Sequence, residues 1–321
     1  MLARTGPIVV AGASGYVGRA LCEELVTHDY TVLALVRRPS DALPIECQQV
    51  VVTNFSQPVL VQALAGAHPA AVVSCLASRS GEPADAWRID HAANEALLDA
   101  ALCVGAGHFQ LLSALCVQKP QLEFQHAKLA FEDTLSRSAV AWTIIRPTAF
   151  FKSLSGQVER IRNGKPFLVF GDGTETACKP ISTQDLAAFM RDCMEDPGCH
   201  RRILPIGGPG PALTPRAMGE LLFDLTGQTP RFKSVPPGLF KILAAVMTPL
   251  AKVSRRLAAK AELLRIAHFY ATESMLVWDP EAQRYDAAAT PESGTDTLAS
   301  HYRMLLANPA KNHQLGQHKL F

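Results

Sequence analysis

The stretch of this sequence that most restricts its fold is GASGYVG, residues 12–18. Its three glycines lie between the β-branched run IVVA and a pattern typical of a helix. Glycine allows a sharp exit from a strand, close approach of the backbone to a phosphate, and tight packing of the next helix. The segment predicts a strand–turn–helix unit that binds the pyrophosphate of a dinucleotide. The residues assigned to this binding are Gly12, Ser14, Gly15, Tyr16, Val17 and Gly18.

The first half of the chain alternates short apolar runs with helical patterns. The runs are almost continuously apolar, as expected for strands buried on both faces of a parallel sheet. They cover residues 8–12, 31–36, 49–53, 70–77, 108–114 and 141–147, and the helical patterns cover 15–28, 58–65, 84–104 and 124–136. This order predicts an α/β fold with a Rossmann-type, doubly wound parallel sheet.

The second half is less regular. Residues 167–175 predict a hairpin strand and turn, and ILPIGG predicts another strand. A helix over 180–195 has Ser182 or Thr183 as its predicted cap, and Thr214 and Gly227 mark the start and end of a further helix.

These patterns predict two regions that interleave. A dinucleotide-binding Rossmann domain is expected over residues 1–150, and a smaller C-terminal substrate-binding region over 151–321. A segment of about 178–206 is expected to return to the Rossmann core.

Composition and charge narrow the function. With 31 basic and 29 acidic residues the formal net charge is +2, which predicts no nucleic-acid partner. The 8 cysteines are scattered without a C-x-x-C pair, so we predict reduced thiols in the cytoplasm, no iron–sulfur cluster and no metal site. We also expect no targeting peptide ahead of the first strand and no membrane-spanning helix.

Arg37 and Arg38 follow the second predicted strand. Enzymes that select NAD place a carboxylate at this point to hold the ribose 2′-hydroxyl. A guanidinium instead pairs with a 2′-phosphate, so NADPH is the predicted cofactor. The alternative is a pair of solvated arginines at a strand end.

Further cofactor contacts are predicted at the ends of two later strands and on one helix. Small residues in SCLAS allow close approach of the adenosine, and the carboxyl edge of the sheet is where ligands of such folds bind. The residues assigned here are Leu76, Ala77, Ser78, Lys128, Pro147 and Thr148. For Lys128 the alternative is an exposed lysine on an amphipathic helix.

Several longer motifs carry a specific resemblance over nearly the whole chain. They are GASGYVGR, LVRR, SCLASR, QKPQLEFQHAKLAFE, TIIRPTAFFKSLSGQ, PISTQDLAAFM, LPIGGPGPALTP and YATESMLVWDPE. Together they resemble the divinyl chlorophyllide a 8-vinyl-reductases, atypical members of the extended short-chain dehydrogenase/reductase superfamily, in their bacterial form. The resemblance implies an NADPH-dependent oxidoreductase that reduces the 8-vinyl group of a chlorophyll precursor to ethyl during chlorophyll or bacteriochlorophyll biosynthesis for photosynthesis.

The resemblance also bears on the interpretation of FQHAK, residues 124–128, which stands where short-chain reductases have Tyr-x-x-x-Lys. Phe124 replaces the tyrosine and Lys128 is kept. Carbonyl reduction leaves an alkoxide that a tyrosine stabilises, whereas hydride addition to a vinyl group leaves charge that a macrocycle can spread. Lys128 is therefore assigned as the catalytic residue, through orientation and electrostatics, and the loss of the tyrosine fits the substrate.

The substrate contacts are assigned to Phe150, Phe151 and Tyr270, with core packing as the alternative. Candidate proton donors are Tyr270, Cys116 and a bound water. His126 and His268 are weaker candidates as ligands of the substrate's magnesium.

Residues 239–260 predict one apolar, basic-flanked helical stretch. It would line a macrocycle pocket, rest on the surface of a photosynthetic membrane, or cover ordinary core. The apolar residues are Leu239, Phe240, Leu243, Val246, Met247 and Leu250, and the basic ones are Lys241, Lys252, Arg255, Arg256 and Lys260.

Two other functions stay open at this point. One is a non-catalytic NADP(H)-binding sensor or assembly protein, favoured by the missing tyrosine. The other is a reductase of a different conjugated substrate. The sequence does not determine the oligomeric state or the choice between divinyl chlorophyllide and its protochlorophyllide precursor.

Overall fold

The computed structural model describes residues 6–79, 82–251 and 255–308. The chain divides into two compact units. The first is the chain up to Pro147 together with Leu186–Leu204, and the second is Thr148–Asp185 together with the chain from Pro205 onward.

The first unit is built around a sheet that has seven strands within the described residues. The first six strands in chain order are β1 (Ile8–Ala11), β2 (Val32–Val36), β3 (Gln48–Val51), β4 (Ala71–Ser74), β5 (His108–Leu112) and β6 (Ala141–Pro147). The order across the sheet is β3-β2-β1-β4-β5-β6, and every one of these neighbouring pairs is parallel. The predicted Rossmann-type sheet is confirmed.

The helices between the first six strands follow the predicted pattern. They are α1 (Tyr16–Thr27), α2 (Gln57–Ala63), α3 (Pro83–Ala86), α4 (Ala93–Cys103) and α5 (Glu123–Ser136). The helix predicted over 84–104 is confirmed as one helical stretch from Pro83 to Cys103, in which the π-helical segment Trp87–Ala92 lies between α3 and α4. The side-chain amide of Asn94 donates to the carbonyl oxygens of Ile89 and Asp90, at 3.1 Å each, within this π-helix.

The core of the unit lies against the sheet. Phe109 on β5 and Phe131 on α5 are almost fully buried and meet edge to face with ring centroids 6.0 Å apart. Leu97 on α4 is fully buried in the same cluster. This packing fixes α4 and α5 on the sheet.

The remaining elements complete the chain. They are α6 (Val158–Arg162), β7 (Phe167–Phe170), α7 (Thr183–Glu195), β8 (Arg202–Ile206), α8 (Pro215–Thr226), β9 (Phe232–Val235), α9 (Gly238–Ala251), α10 (Arg255–Thr272), β10 (Val277–Asp279), β11 (Arg284–Asp286) and α11 (Leu298–Ala307). β8 is the strand beside β6 at the edge of the large sheet, and β10 pairs with β11 in an antiparallel ribbon.

The predicted helix caps are confirmed. The Ser182 hydroxyl accepts from the backbone N–H of Asp185 at 2.9 Å, and that of Thr214 accepts from Ala217 at 3.1 Å. Gly227 ends α8 in the left-handed conformation with φ +64°.

One prediction in the second half is wrong. Residues 167–175 do not form a hairpin, because β7 pairs in parallel with the distant strand β9. The described residues of the helical stretch predicted over 239–260 lie in α9 and α10, and residues 252–254 lie outside the described part of the chain.

A buried histidine lies in the sheet of the first unit. His108 on β5 is 0% exposed, and its ring lies 4.5 Å from that of His200. Among the described residues neither ring nitrogen of His108 has a hydrogen-bond partner. Burial, with a smaller effect from His200, lowers the pKa of His108 from 6.5 to about 4.

This pKa predicts acid sensitivity of the fold. Because the pKa of His108 is depressed in the folded state, its contribution is fully present above pH 6.5 and is lost as pH falls towards 4. The loss should reach about 3 kcal/mol of the free energy of unfolding. Urea denaturation across this range should show a shallower pH dependence for His108→Gln, whereas His126→Gln, exposed on α5, should keep the original slope. Equal slopes for both variants would contradict this assignment.

Candidate functional site

The glycine loop between β1 and α1 lies where doubly wound sheets bind ligands. β1 has β2 on one side and β4 on the other, so the strand order reverses between β1 and β4. Ligands bind beyond the carboxyl ends of the strands at such a switch point. The residues that follow these strands, 12–18 and 75–79, therefore form the candidate site.

Each glycine of the loop occupies a place that a side chain cannot fill. Gly12 has φ +76°, and a Cβ atom there would lie 2.6 Å from the carbonyl oxygen of Cys75. A Cβ atom on Gly18 would lie 2.3 Å from the carbonyl oxygen of Gly12, and one on Gly15 would lie 2.9 Å from it. All three positions therefore require glycine, which keeps the backbone of the loop free of side chains, as a site for a dinucleotide pyrophosphate needs.

The other assigned residues of this loop differ in exposure. Ser14 is exposed, Tyr16 is half-buried and Val17 is buried within α1. Gly15 is the N-cap of α1 and has no side chain with which to cap it, so the positive end of the helix dipole faces the loop. Val17 thus anchors the helix, while Ser14 and Gly15 lie at its N-terminal end.

Arg37 and Arg38 follow the last residue of β2, and both are exposed. Neither guanidinium forms an ion pair with a carboxylate in the parts of the chain that the structure describes. Two adjacent cations without an acidic partner suit a phosphate, since a guanidinium can donate two parallel hydrogen bonds to it.

Arg79 adds a third guanidinium to the site. A Cβ atom on Gly15 would lie 3.7 Å from Nη2 of Arg79, so this cation lies beside the glycine loop. Its backbone N–H is held by the carboxylate of Asp85 at 3.4 Å. Arg79 comes directly after the predicted SCLAS segment, but sequence reasoning did not assign it a role.

Lys128 lies on α5 and forms a buried ion pair. Its Nζ is 2.9 Å from Oδ1 of Asp90, and the two side chains are 10% and 0% exposed. The other carboxylate oxygen of Asp90 accepts from the Ser78 hydroxyl at 2.6 Å and from the Ser78 backbone N–H at 3.3 Å. Asp90 therefore links α5 to the loop after β4, where Leu76, Ala77 and Ser78 lie.

The charge of Lys128 is fixed by this pairing. Burial alone would lower the pKa of Lys128, but the negative charge of Asp90 and its hydrogen bond outweigh burial, and the pKa is raised. Burial raises the pKa of Cys75, which follows β4, to about 12, although the charge of Lys128 opposes this in part. At neutral pH the site holds a permanent cation and a neutral thiol.

Comparison with known proteins identifies the family. A family model described as NAD(P)H-binding matches residues 12–197. The divinyl chlorophyllide a 8-vinyl-reductase of Zea mays is 43% identical, over 98% of this chain and 82% of that protein. The one from Arabidopsis thaliana is 41% identical, over 97% of this chain and 79% of that protein. The chain belongs to the divinyl chlorophyllide a 8-vinyl-reductase family.

The fold of this 8-vinyl-reductase family member is shared with solved enzymes. The structure of an NADPH-dependent quinone oxidoreductase from Escherichia coli, complexed with NADPH, has a TM-score of 0.69 and 17% identity. The match covers 93% of this chain and 99% of the quinone oxidoreductase chain. At this identity the likeness shows the fold alone.

A second buried ion pair in this vinyl-reductase family member lies one turn further along α5. Glu132 is 4% exposed, pairs with Arg146 on β6, and accepts a hydrogen bond from the Ser113 hydroxyl at 2.5 Å. The charge of Glu132 contributes to the raised pKa of Lys128. The pair therefore ties the ends of β5 and β6 to the helix that carries the lysine.

Phe124 in this reductase family member has no group that can donate a proton. It is half-buried and lies one helical turn before Lys128, on the same side of α5. The neighbouring Gln125 is fully buried, and its side chain accepts from the backbone N–H of Leu122 at 2.9 Å and donates to the carbonyl of Cys116 at 2.9 Å. Gln125 therefore sets where α5 begins, and with it the depth of Lys128.

The last residues assigned from the sequence do not all belong to one unit. Pro147 ends β6 in the first unit, whereas Thr148, Phe150, Phe151 and Tyr270 belong to the second. The Thr148 hydroxyl donates to the carbonyl of Lys179. Phe151 is 3% exposed, with its ring centroid 5.3 Å from that of His301. Tyr270 is half-buried and its ring meets that of Phe269 edge to face.

Sequence reasoning missed the residues that hold the lysine of this 8-vinyl-reductase family member. Asp90, Glu132 and Arg146 look like solvated charges within helical and strand patterns. Burial converts them into structural ion pairs, and no local spacing predicts that.

Proposed function

We propose that the chain reduces the 8-vinyl group of divinyl chlorophyllide a, or of divinyl protochlorophyllide, to an ethyl group with NADPH. The observation that carries this proposal is identity of 41–44% to 8-vinyl-reductases over almost the whole chain. The matched region includes the glycine loop, the lysine helix and the second unit, so it covers every residue assigned to the site.

The arrangement on α5 suits reduction of a carbon–carbon double bond. Phe124 cannot protonate an oxyanion, but addition of hydride to the vinyl group creates no localised oxyanion. The buried cation of Lys128 supplies a fixed positive charge beside the cofactor, and its raised pKa makes it a poor proton donor. The proton for the inner carbon is therefore assigned to water or to another side chain.

The roles of the first unit's residues follow from their positions. When bound, the nicotinamide cofactor supplies the hydride. The glycine loop and Arg79 hold its pyrophosphate, and Arg37 and Arg38 hold the 2′-phosphate, which favours NADPH over NADH. Lys128, held by Asp90, contacts the ribose hydroxyls and fixes the orientation of the nicotinamide.

The second unit is proposed to bind the tetrapyrrole. Phe150, Phe151 and Tyr270 are the assigned contacts. Because Phe151 is packed tightly against His301, its proposed role is to support the wall of the pigment-binding pocket. The proposed place of action is the cytoplasm of a bacterial cell, with peripheral contact at a membrane surface. None of the helices in the described parts of the chain is long and apolar enough to span a bilayer.

A direct assay tests the reaction. Purified protein is incubated with divinyl chlorophyllide a and either NADPH or NADH, and the pigment is followed by absorbance and chromatography. Formation of the 8-ethyl product with NADPH is expected. Tight NADPH binding without turnover on either divinyl pigment would instead support a non-catalytic cofactor-binding role.

A further inference from the structure

The outer face of α9 exposes an apolar stripe. Leu239, Ile242, Leu243 and Val246 are 43%, 64%, 42% and 62% exposed, and their spacing places them on one side of the helix. We call these four residues the α9 face. The other side of the helix is packed, since Ala244 is 4% exposed and Phe240 meets Phe170 edge to face. The α9 face is therefore an exposed apolar surface that core packing does not explain.

The sequence around this face is charged with one sign. Between Asp224 and Glu262 every charged residue is basic: Arg231, Lys233, Lys241, Lys252, Arg255, Arg256 and Lys260. The chain as a whole has a formal net charge of only +2, so this segment concentrates positive charge. Arg231, Lys233 and Lys260 are exposed. An apolar stripe in a segment whose charged residues are all basic is the pattern of a helix that lies in a membrane interface.

We infer that the α9 face and its basic flank form a docking surface for a membrane that contains anionic lipid. The apolar side chains would enter the boundary between headgroups and acyl chains, and the lysines and arginines would pair with lipid phosphates. The inference does not depend on the proposed reaction, because it rests on exposure and charge outside the cofactor site.

Charge favours a lipid surface over a second copy of the chain. A two-fold interface built on the α9 face would bring the same basic segment of each copy together, without acidic residues of that segment to offset it. Anionic lipid supplies the opposite charge. α9 has 14 residues, too few to cross a bilayer, so the contact is peripheral.

Flotation with vesicles tests this surface. The full chain is expected to float with vesicles of phosphatidylcholine and phosphatidylglycerol, to bind phosphatidylcholine alone at least about tenfold more weakly, and to lose affinity as salt is raised. Ile242→Glu with Val246→Glu should abolish flotation, and Lys233→Glu with Lys260→Glu should weaken it about tenfold or more. Ile45→Glu is the matched control: Ile45 is 95% exposed in the first unit, and its replacement should leave flotation unchanged.

Several outcomes would overturn the inference. These are absence of flotation with either vesicle type, equal binding to both, or flotation that survives both pairs of substitutions. A dimer in solution that the Ile242→Glu, Val246→Glu variant dissociates would assign the face to a second copy. Circular dichroism and thermal melting of each variant establish that it is folded. If vinyl reduction is not observed but flotation behaves as expected, the docking surface stands and only the proposed reaction fails.

Discussion

Replacing Lys128 with alanine is expected to lower kcat about 100-fold, the scale on which misplaced reacting groups slow an enzyme. The ammonium group is buried and paired with Asp90 at 2.9 Å, so no neighbouring solvent can replace its charge. In the proposed mechanism, its loss leaves the ribose without its positioning contact and changes the electrostatic field at the nicotinamide. Steady-state kinetics with saturating NADPH and divinyl chlorophyllide measure this effect.

Stability must be separated from catalysis in this experiment. Removing one partner of a buried pair leaves the other charge unpaired and costs about 3–5 kcal/mol of folding free energy. The double variant Lys128→Met, Asp90→Asn removes both charges, so it should unfold at nearly the wild-type urea concentration while staying inactive. Near-normal turnover in this folded double variant would show that Lys128 is a structural residue.

Replacing both Arg37 and Arg38 with alanine is expected to weaken NADPH binding about 10- to 100-fold. A hydrogen bond to a charged group contributes about 1.5–3 kcal/mol, and 1.4 kcal/mol corresponds to a factor of ten in affinity. NADH lacks the 2′-phosphate, so its affinity should change little, and the preference between the two cofactors should narrow by the same factor. Fluorescence titration of each reduced cofactor measures both constants.

The control for this variant is Arg137→Ala, because Arg137 is a surface arginine with a 76% exposed side chain at the end of α5. It should leave the affinity for both cofactors unchanged. An equal loss of NADPH and NADH affinity in the double-alanine variant would mean that the arginines do not bind the 2′-phosphate specifically. Unchanged affinity would assign them to solvent.

The parallel sheet could be predicted because its information is local. Each of the six predicted runs, from IVVA to AWTIIRP, is apolar enough to indicate burial on both faces, and each overlaps a strand of the structure, although β3 at the edge of the sheet is partly exposed. The pairing of β7 with β9 could not be predicted, because the two strands are far apart in sequence and no residue pattern in either strand indicates its partner. A turn with two glycines after β7 suggested the simpler hairpin.

The glycine loop was predictable because the glycine spacing itself is local: Gly15 and Gly18 are required by contacts with Gly12, whereas Gly12 itself packs against a distant residue, Cys75 after β4. The surroundings of Lys128 could not be predicted. Its partner Asp90 is far away in sequence and lies in a segment whose pattern reads as an ordinary helix. Only the fold shows that this carboxylate is buried and accepts from Ser78.

In the π-helix Trp87–Ala92, the number of residues matters more for the position of Asp90 than the identity of the residues around it. A π-helix holds an extra residue in its turn, and each residue of a regular helix turns the chain by about 100°. Deleting Arg88 would remove the extra residue and swing Asp90 away from Lys128, whereas replacing the exposed Arg88 would leave the pairing intact. When related chains are aligned, a one-residue gap here would mark proteins that hold their lysine by other means.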